Sequence, residues 1–137
     1  MPSMSSNEFE NFVRLPLVAI LTTIRTEGSP QATPIWYESD GEVFFCIFSK
    51  DSVKARNIRS NPSVSLCIAT HDEPYQYLIV YGNGEISSED VWERCLSIST
   101  RYRGAERGIQ FARELIDTGD TVVLSVRPDR LITESNA

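Results

Sequence analysis

The chain is poor in the residues that make the commonest sites. It has three cysteines, one histidine and two methionines in 137 residues. Cys46, Cys67 and Cys95 are far apart and odd in number, and no CxxC pair occurs, so neither a disulfide framework nor a thiolate zinc site is indicated. Cys46 and Cys67 fall inside apolar runs and read as small core residues. His71 lies among acidic neighbours, Asp72 and Glu73, and reads as a solvated loop residue. Basic charge is also in short supply. Thirteen Lys and Arg against nineteen Asp and Glu give a net charge of −6, which argues against nucleic acid or an anionic membrane as the main partner. No long apolar run and no leader-like stretch is present, so a protein of the reducing cytoplasm is expected. Repeats, low-complexity runs and internal linkers are absent, and the length suits one domain over residues 1–137.

What is there alternates between β-branched runs and turn signals. Asn7–Arg14 reads as a short amphipathic helix ended by Pro16. Leu17–Thr26 reads as a strand, Glu27–Pro30 as a turn, and Gln31–Ser39 as the returning strand. Pro34 inside that strand donates no ladder hydrogen bond, which points to an edge, a bulge or backbone left free for a ligand. Asp40-Gly41 signals a hairpin into the strand ending at Phe48. Val53–Ser60 reads as a helix stopped by Asn61-Pro62, and Val64–Ala69 as another strand. Gln76–Ser87 reads as a strand bent at Gly82 and Gly84. Helices follow from Ser88 to about Tyr102 and from Ala105 to Asp117. Thr121–Val126 reads as a strand, Pro128-Asp129 as a turn, and Arg130–Thr133 as a last short strand. The sum is a mainly β chain, a barrel of six to seven mostly antiparallel strands with peripheral helices. Apolar residues on both faces of the middle strands imply that helices or a second subunit cover the outside.

The chemistry concentrates at the start of the central helix. Asp51 or Ser52 serves as its N-cap, its first turn exposes backbone N–H groups, and Lys50 and Lys54 stand beside it. Such an end accepts a phosphate. The plainer reading is a solvated helix with Ala55 and Ile58 turned inward. Further basic residues cluster as Arg56 with Arg59 and as Arg101, Arg103 and Arg107.

Taken together these blocks resemble the FMN-binding split-barrel family, that is, the pyridoxamine 5'-phosphate oxidase-like proteins and their deazaflavin-dependent relatives. LVAILTTIRTEGSPQATPIWYESDG is similar to the family's opening hairpin with its T-P-x-W. DSVKARNIRSNPSVSLCIA is similar to its S-x-K-x-x-N…N-P-x-V-S segment, the most specific part. EPYQYLIVYGNGEI and VVLSVRPDRLIT resemble its later strand and its closing hairpin. The resemblance implies a homodimer with the cofactor at the subunit interface, a small-molecule substrate, and hydride transfer between ring and substrate. The cofactor is FMN or, as the alternative, the deazaflavin coenzyme F420. Lys54 and Ser52 take the phosphate, with Lys50 beside them. Thr33, Pro34, Ile35 and Trp36 meet the ring, Ile47, Phe48 and Ser49 line the site, and Gln76 or Tyr77 enters from the other subunit. No catalytic residue is assigned. Many relatives carry an arginine shortly before the lysine, where this chain has Ser52 and Val53. The segment by which the classical oxidases recognise their substrate has no counterpart after the last strand, so a redox role other than vitamin B6 oxidation is expected. Two rival readings stay open: a non-catalytic flavin or haem carrier or sensor, and a cofactor-less dimeric interaction module.

Overall fold

The computed structural model describes residues 1–137. In chain order the elements are α1 (Ser6–Val13), β1 (Ala19–Ile24), β2 (Pro30–Ile35), β3 (Glu38–Ser39), β4 (Phe44–Ser49), α2 (Val53–Ser60), β5 (Ser63–Ala69), β6 (Gln76–Ser87), α3 (Val91–Arg103), α4 (Ala105–Thr118) and β7 (Thr121–Ser135). The seven strands make one antiparallel sheet in the order β2-β1-β5-β6-β7-β4-β3.

That order forces a barrel. β2 and β3 lie at opposite edges of the sheet, yet only Trp36 and Tyr37 separate them in the chain. A flat sheet cannot satisfy both facts, so the sheet curls until its edges nearly meet. The expected strand Gln31–Ser39 is therefore two strands, broken where the chain crosses the split. Pro34 sits on the edge strand β2, where its missing N–H costs no ladder bond on the open side.

Alternation decides which residues go inside. The row Leu21, Leu66 and Val80, paired across β1, β5 and β6, is fully buried. The next row, Pro34–Ile20–Cys67–Ile79–Ile132, faces outward. Here Cys67 is exposed rather than a core residue, whereas Cys46 and Cys95 are buried. The fate of Cys67 follows from register: it pairs with outward-facing Ile20 and is itself exposed. The C-terminal strand also departs from expectation. The hairpin expected at Pro128-Asp129 does not form, and β7 runs unbroken from Thr121 to Ser135. Gly82 pairs with Pro128 and Tyr81 with Arg130, so Asp129 is the extra residue of a bulge. A Cβ on Gly82 would come within 2.6 Å of the Arg127 carbonyl oxygen, which explains glycine at this bend.

Helix α3 fastens the split. The Tyr37 N–H donates to the Tyr102 hydroxyl (3.1 Å), which donates in turn to the Leu17 carbonyl (2.7 Å). Arg101 donates to the carbonyls of Val13, Arg14 and Leu15 at the C-terminus of α1 and lies 4.9 Å from the centre of the Tyr37 ring. Its cation thus meets the negative end of a helix. Tyr102→Phe would leave the Tyr37 N–H without its acceptor. A loss of about 1–3 kcal/mol is expected, read as a lower urea midpoint; an unchanged midpoint would show that water replaces the hydroxyl at no cost.

Candidate functional site

An apolar cleft of about 440 Å³ opens where the split meets the helices. Val18, Pro34, Ile35 and Trp36 form one wall, Ile47 and Phe48 of β4 the floor, and Phe111 and Leu115 of α4 the far side, with Arg103 and Thr121 as its polar members. Its size is that of a small-molecule site. The outer wall is the edge strand β2, which presents unpaired backbone N–H and C=O groups on its free side.

Trp36 is half-buried and stacks on Tyr102, ring centres 4.8 Å apart and planes 5° from parallel. Phe111 meets it at a tilt, at 5.6 Å. These contacts fix the indole in place and make it a wall of the cleft.

Helix α2 begins beside the floor. Ser52 is its N-cap: the hydroxyl accepts from the Ala55 N–H (3.3 Å) and donates to the Ser49 carbonyl (2.7 Å). Lys54, in the first turn, holds its ammonium 5.8 Å from the centre of the Phe48 ring and makes neither a hydrogen bond nor an ion pair. An unpaired, half-buried cation on a helix N-terminus attracts an anion. The helix is moored from below. Asn57 donates from its buried amide to Thr23 Oγ1 (3.0 Å) and Gln31 Oε1 (3.4 Å), tying the helix that carries Lys54 to β1 and β2.

Pro34, Ile35, Trp36 and Phe48 thus share one cleft, and Lys54 reaches its floor. Thr33 precedes the lining residues, and its buried hydroxyl has no partner within the protein. Ser49 is otherwise engaged. Its hydroxyl donates to Asp120 Oδ2 (3.2 Å), and its carbonyl accepts from Ser52. Asp120 is held below the usual carboxylate range, first by the Thr118 hydroxyl and then by Ser49. Lys50 lines a different hollow with Ile58, Arg59 and Glu85, and its carbonyl accepts from Arg59 (2.7 Å). Tyr77 lies on the outer face, where its phenol is raised above the usual range chiefly by hydrogen bonding to Glu134. The basic residues do not form one groove. Arg101 is bound to α1, Arg103 and Arg107 share a hollow with Glu114, and Arg56 and Arg59 line another with Arg25.

Sequence reasoning missed Phe111, Leu115 and Arg25. The signal for the first two lay in α4, where Gly108, Phe111, Ala112 and Leu115 recur at helical spacing on one side. Nothing local marks Arg25, which reaches α2 only through the curl of the β1–β2 hairpin.

A curled antiparallel sheet with an apolar cleft and a lysine-bearing helix at its split defines a split barrel. The chain belongs to the pyridoxamine 5'-phosphate oxidase family, whose model matches residues 5–134. Among solved structures it is similar to an F420 reductase, with 30% identity, 89% of this chain and 94% of that chain covered, and a TM-score of 0.72. It is also similar to a conserved hypothetical protein from Mycobacterium tuberculosis, with 26% identity, 96% and 85% covered, and a TM-score of 0.81. An FAD-binding protein from Mesorhizobium loti shares the fold at 15% identity, with 98% and 95% covered and a TM-score of 0.68. No curated protein matches. No helix is long and apolar enough to cross a membrane.

Proposed function

We propose that the protein is an oxidoreductase that holds a flavin-class cofactor with its phosphate on Lys54 and its ring in the apolar cleft. The observation that carries this reading is the unpaired Lys54 ammonium beside a cleft walled by Pro34, Ile35, Trp36 and Phe48. The edge strand β2 also fits such a guest, because it has free backbone groups for the polar rim of a ring. A flavin or deazaflavin, when bound, supplies hydride transfer. None of the lining residues is a carboxylic acid, a histidine or a thiol. The chain's own part is therefore to bind, to orient and to keep water off the reacting face.

Of the two cofactors we favour the deazaflavin coenzyme over FMN. A hollow of about 530 Å³ adjoins α2, and in its lining Arg25, Arg56 and Arg59 outnumber the one carboxylate, Glu27, a net positive charge that suits a long acidic tail. The similarity to an F420 reductase supports the same choice. The reading also takes the protein as a homodimer. Val18, Ile20 and Tyr81 are 48, 39 and 40% exposed on the outer face, a set of apolar side chains that a second copy would cover. Sedimentation velocity measures that directly, and a strictly monomeric protein removes the partner from the site.

The test of the cofactor is a fluorescence titration of the purified protein with FMN and with the deazaflavin coenzyme in parallel. The deazaflavin is expected to bind more tightly, and Lys54→Ala to weaken it by about 10–100-fold, the worth of a charge-assisted phosphate contact. If neither binds, the oxidoreductase reading falls and the interaction module replaces it.

A further inference from the structure

Arg103, the last residue of α3, is the one cation lining the apolar cleft. Its guanidinium carbon lies 4.5 Å from the centre of the Phe111 ring and 5.3 Å from that of Trp36. Stacking on aromatic faces holds it, and its N–H groups make no hydrogen bond within the protein. Arg101, two residues earlier, engages three carbonyls through its two terminal nitrogens, and the single ion pair, Arg94–Glu38 at 2.6 Å, does not involve Arg103. Glu114 lines the small hollow on the other side of Arg103 but lies beyond ion-pair distance. The result is a planar fork of donors, set over two aromatic rings and unspent, at the rim of an apolar chamber.

Its place in the cleft says what it serves. The Lys54 helix is moored to β2 at Gln31, through Asn57. Lys54 itself stands by Phe48 at the floor of the cleft, whereas Arg103 stands over Trp36 and Phe111. A cofactor with its phosphate at the α2 end therefore brings its ring, and the substrate above it, toward the end where Arg103 stands. An Arg fork matches a carboxylate bidentately, and the aromatic and aliphatic walls match an apolar body.

We infer that Arg103 selects the substrate, and that the substrate is an apolar or aromatic molecule carrying a carboxylate. The inference rests on the cofactor reading above for the word substrate, but its test reads binding alone. The probes are cinnamate and its neutral amide, cinnamamide, titrated into the purified protein by calorimetry. The wild-type protein is expected to bind cinnamate about tenfold more tightly than the amide. Arg103→Met, which keeps the apolar stem over the rings, is expected to bind the two equally. Circular dichroism confirms that the variant is folded, as expected for an exposed side chain. The proposal is overturned if cinnamate does not bind the wild type, if the two probes bind it equally, or if the preference survives in Arg103→Met. If neither cofactor binds the wild type but an Arg103-dependent preference for cinnamate remains, the oxidoreductase reading fails and the carboxylate site stands.

Discussion

Gly108→Ala is expected to lower stability by about 3 kcal/mol, the upper part of the range for overpacking a tight contact. Helices α3 and α4 are joined by Gly104 alone and pack against each other directly. Gly108 is buried in the first turns of α4, and a Cβ there would lie 2.5 Å from Thr100 Cα, 2.7 Å from Thr100 N and 2.8 Å from the Ser99 carbonyl oxygen. All three are backbone atoms, so no rotamer change relieves the clash and the helices must part. Phe111 and Leu115 lie three and seven residues further along α4, on the same side, and would move with it. The substitution should therefore act twice, lowering the urea midpoint and weakening cinnamate binding in the folded protein. A variant with the wild-type midpoint would show that the two helices are not held this closely.

Stability should also fall steeply in alkali. Burial pushes the Cys46 thiol up from 9.0 to about 12 and the Tyr37 phenol from 10.0 to about 12, although the neighbouring Arg101 pulls the phenol the other way. Both groups stay protonated in the fold while the unfolded chain already releases its protons. Above pH 9 the unfolded state thus binds fewer protons, and unfolding becomes easier as pH rises. The stabilisation is whole below pH 9 and is lost as pH climbs toward 12. Each pH unit separating a group's folded and unfolded values is worth about 1.4 kcal/mol, so the thiol and the phenol together remove on the order of 7 kcal/mol across that window. Urea midpoints taken from neutral pH upward measure the slope. Cys46→Ala should flatten its first part, between the thiol's unfolded value and that of the phenol. A flat profile to pH 11 would mean that the two groups titrate freely in the native state.

The sequence by itself determined the elements whose signals are local. Helix α2 spans Val53–Ser60, as its flanking residues predict, because Ser52 caps it and Asn61-Pro62 stops it. β6 runs from Gln76 to Ser87 because β-branched and aromatic residues fill it up to its glycines. The lysine at the head of α2 was legible for the same reason: the cap, the lysine and the helix start are neighbours in the chain and need no distant partner. Only the tertiary structure decided the rest. It broke Gln31–Ser39 at Trp36-Tyr37, since one strand cannot serve both edges of a curled sheet. It absorbed the Pro128-Asp129 turn signal into a bulge, because β7 had a full-length partner in β6. It turned Cys67 outward, since face depends on register with β1 rather than on hydrophobicity. It also gave Ser49 to Asp120, took Arg101 away to α1, and brought Arg103, Phe111 and Leu115 against Trp36. Each of these depends on residues far apart in the chain. Such contacts are fixed by the closing of the sheet and by the helices that cover its split, and no local pattern in the sequence carries them.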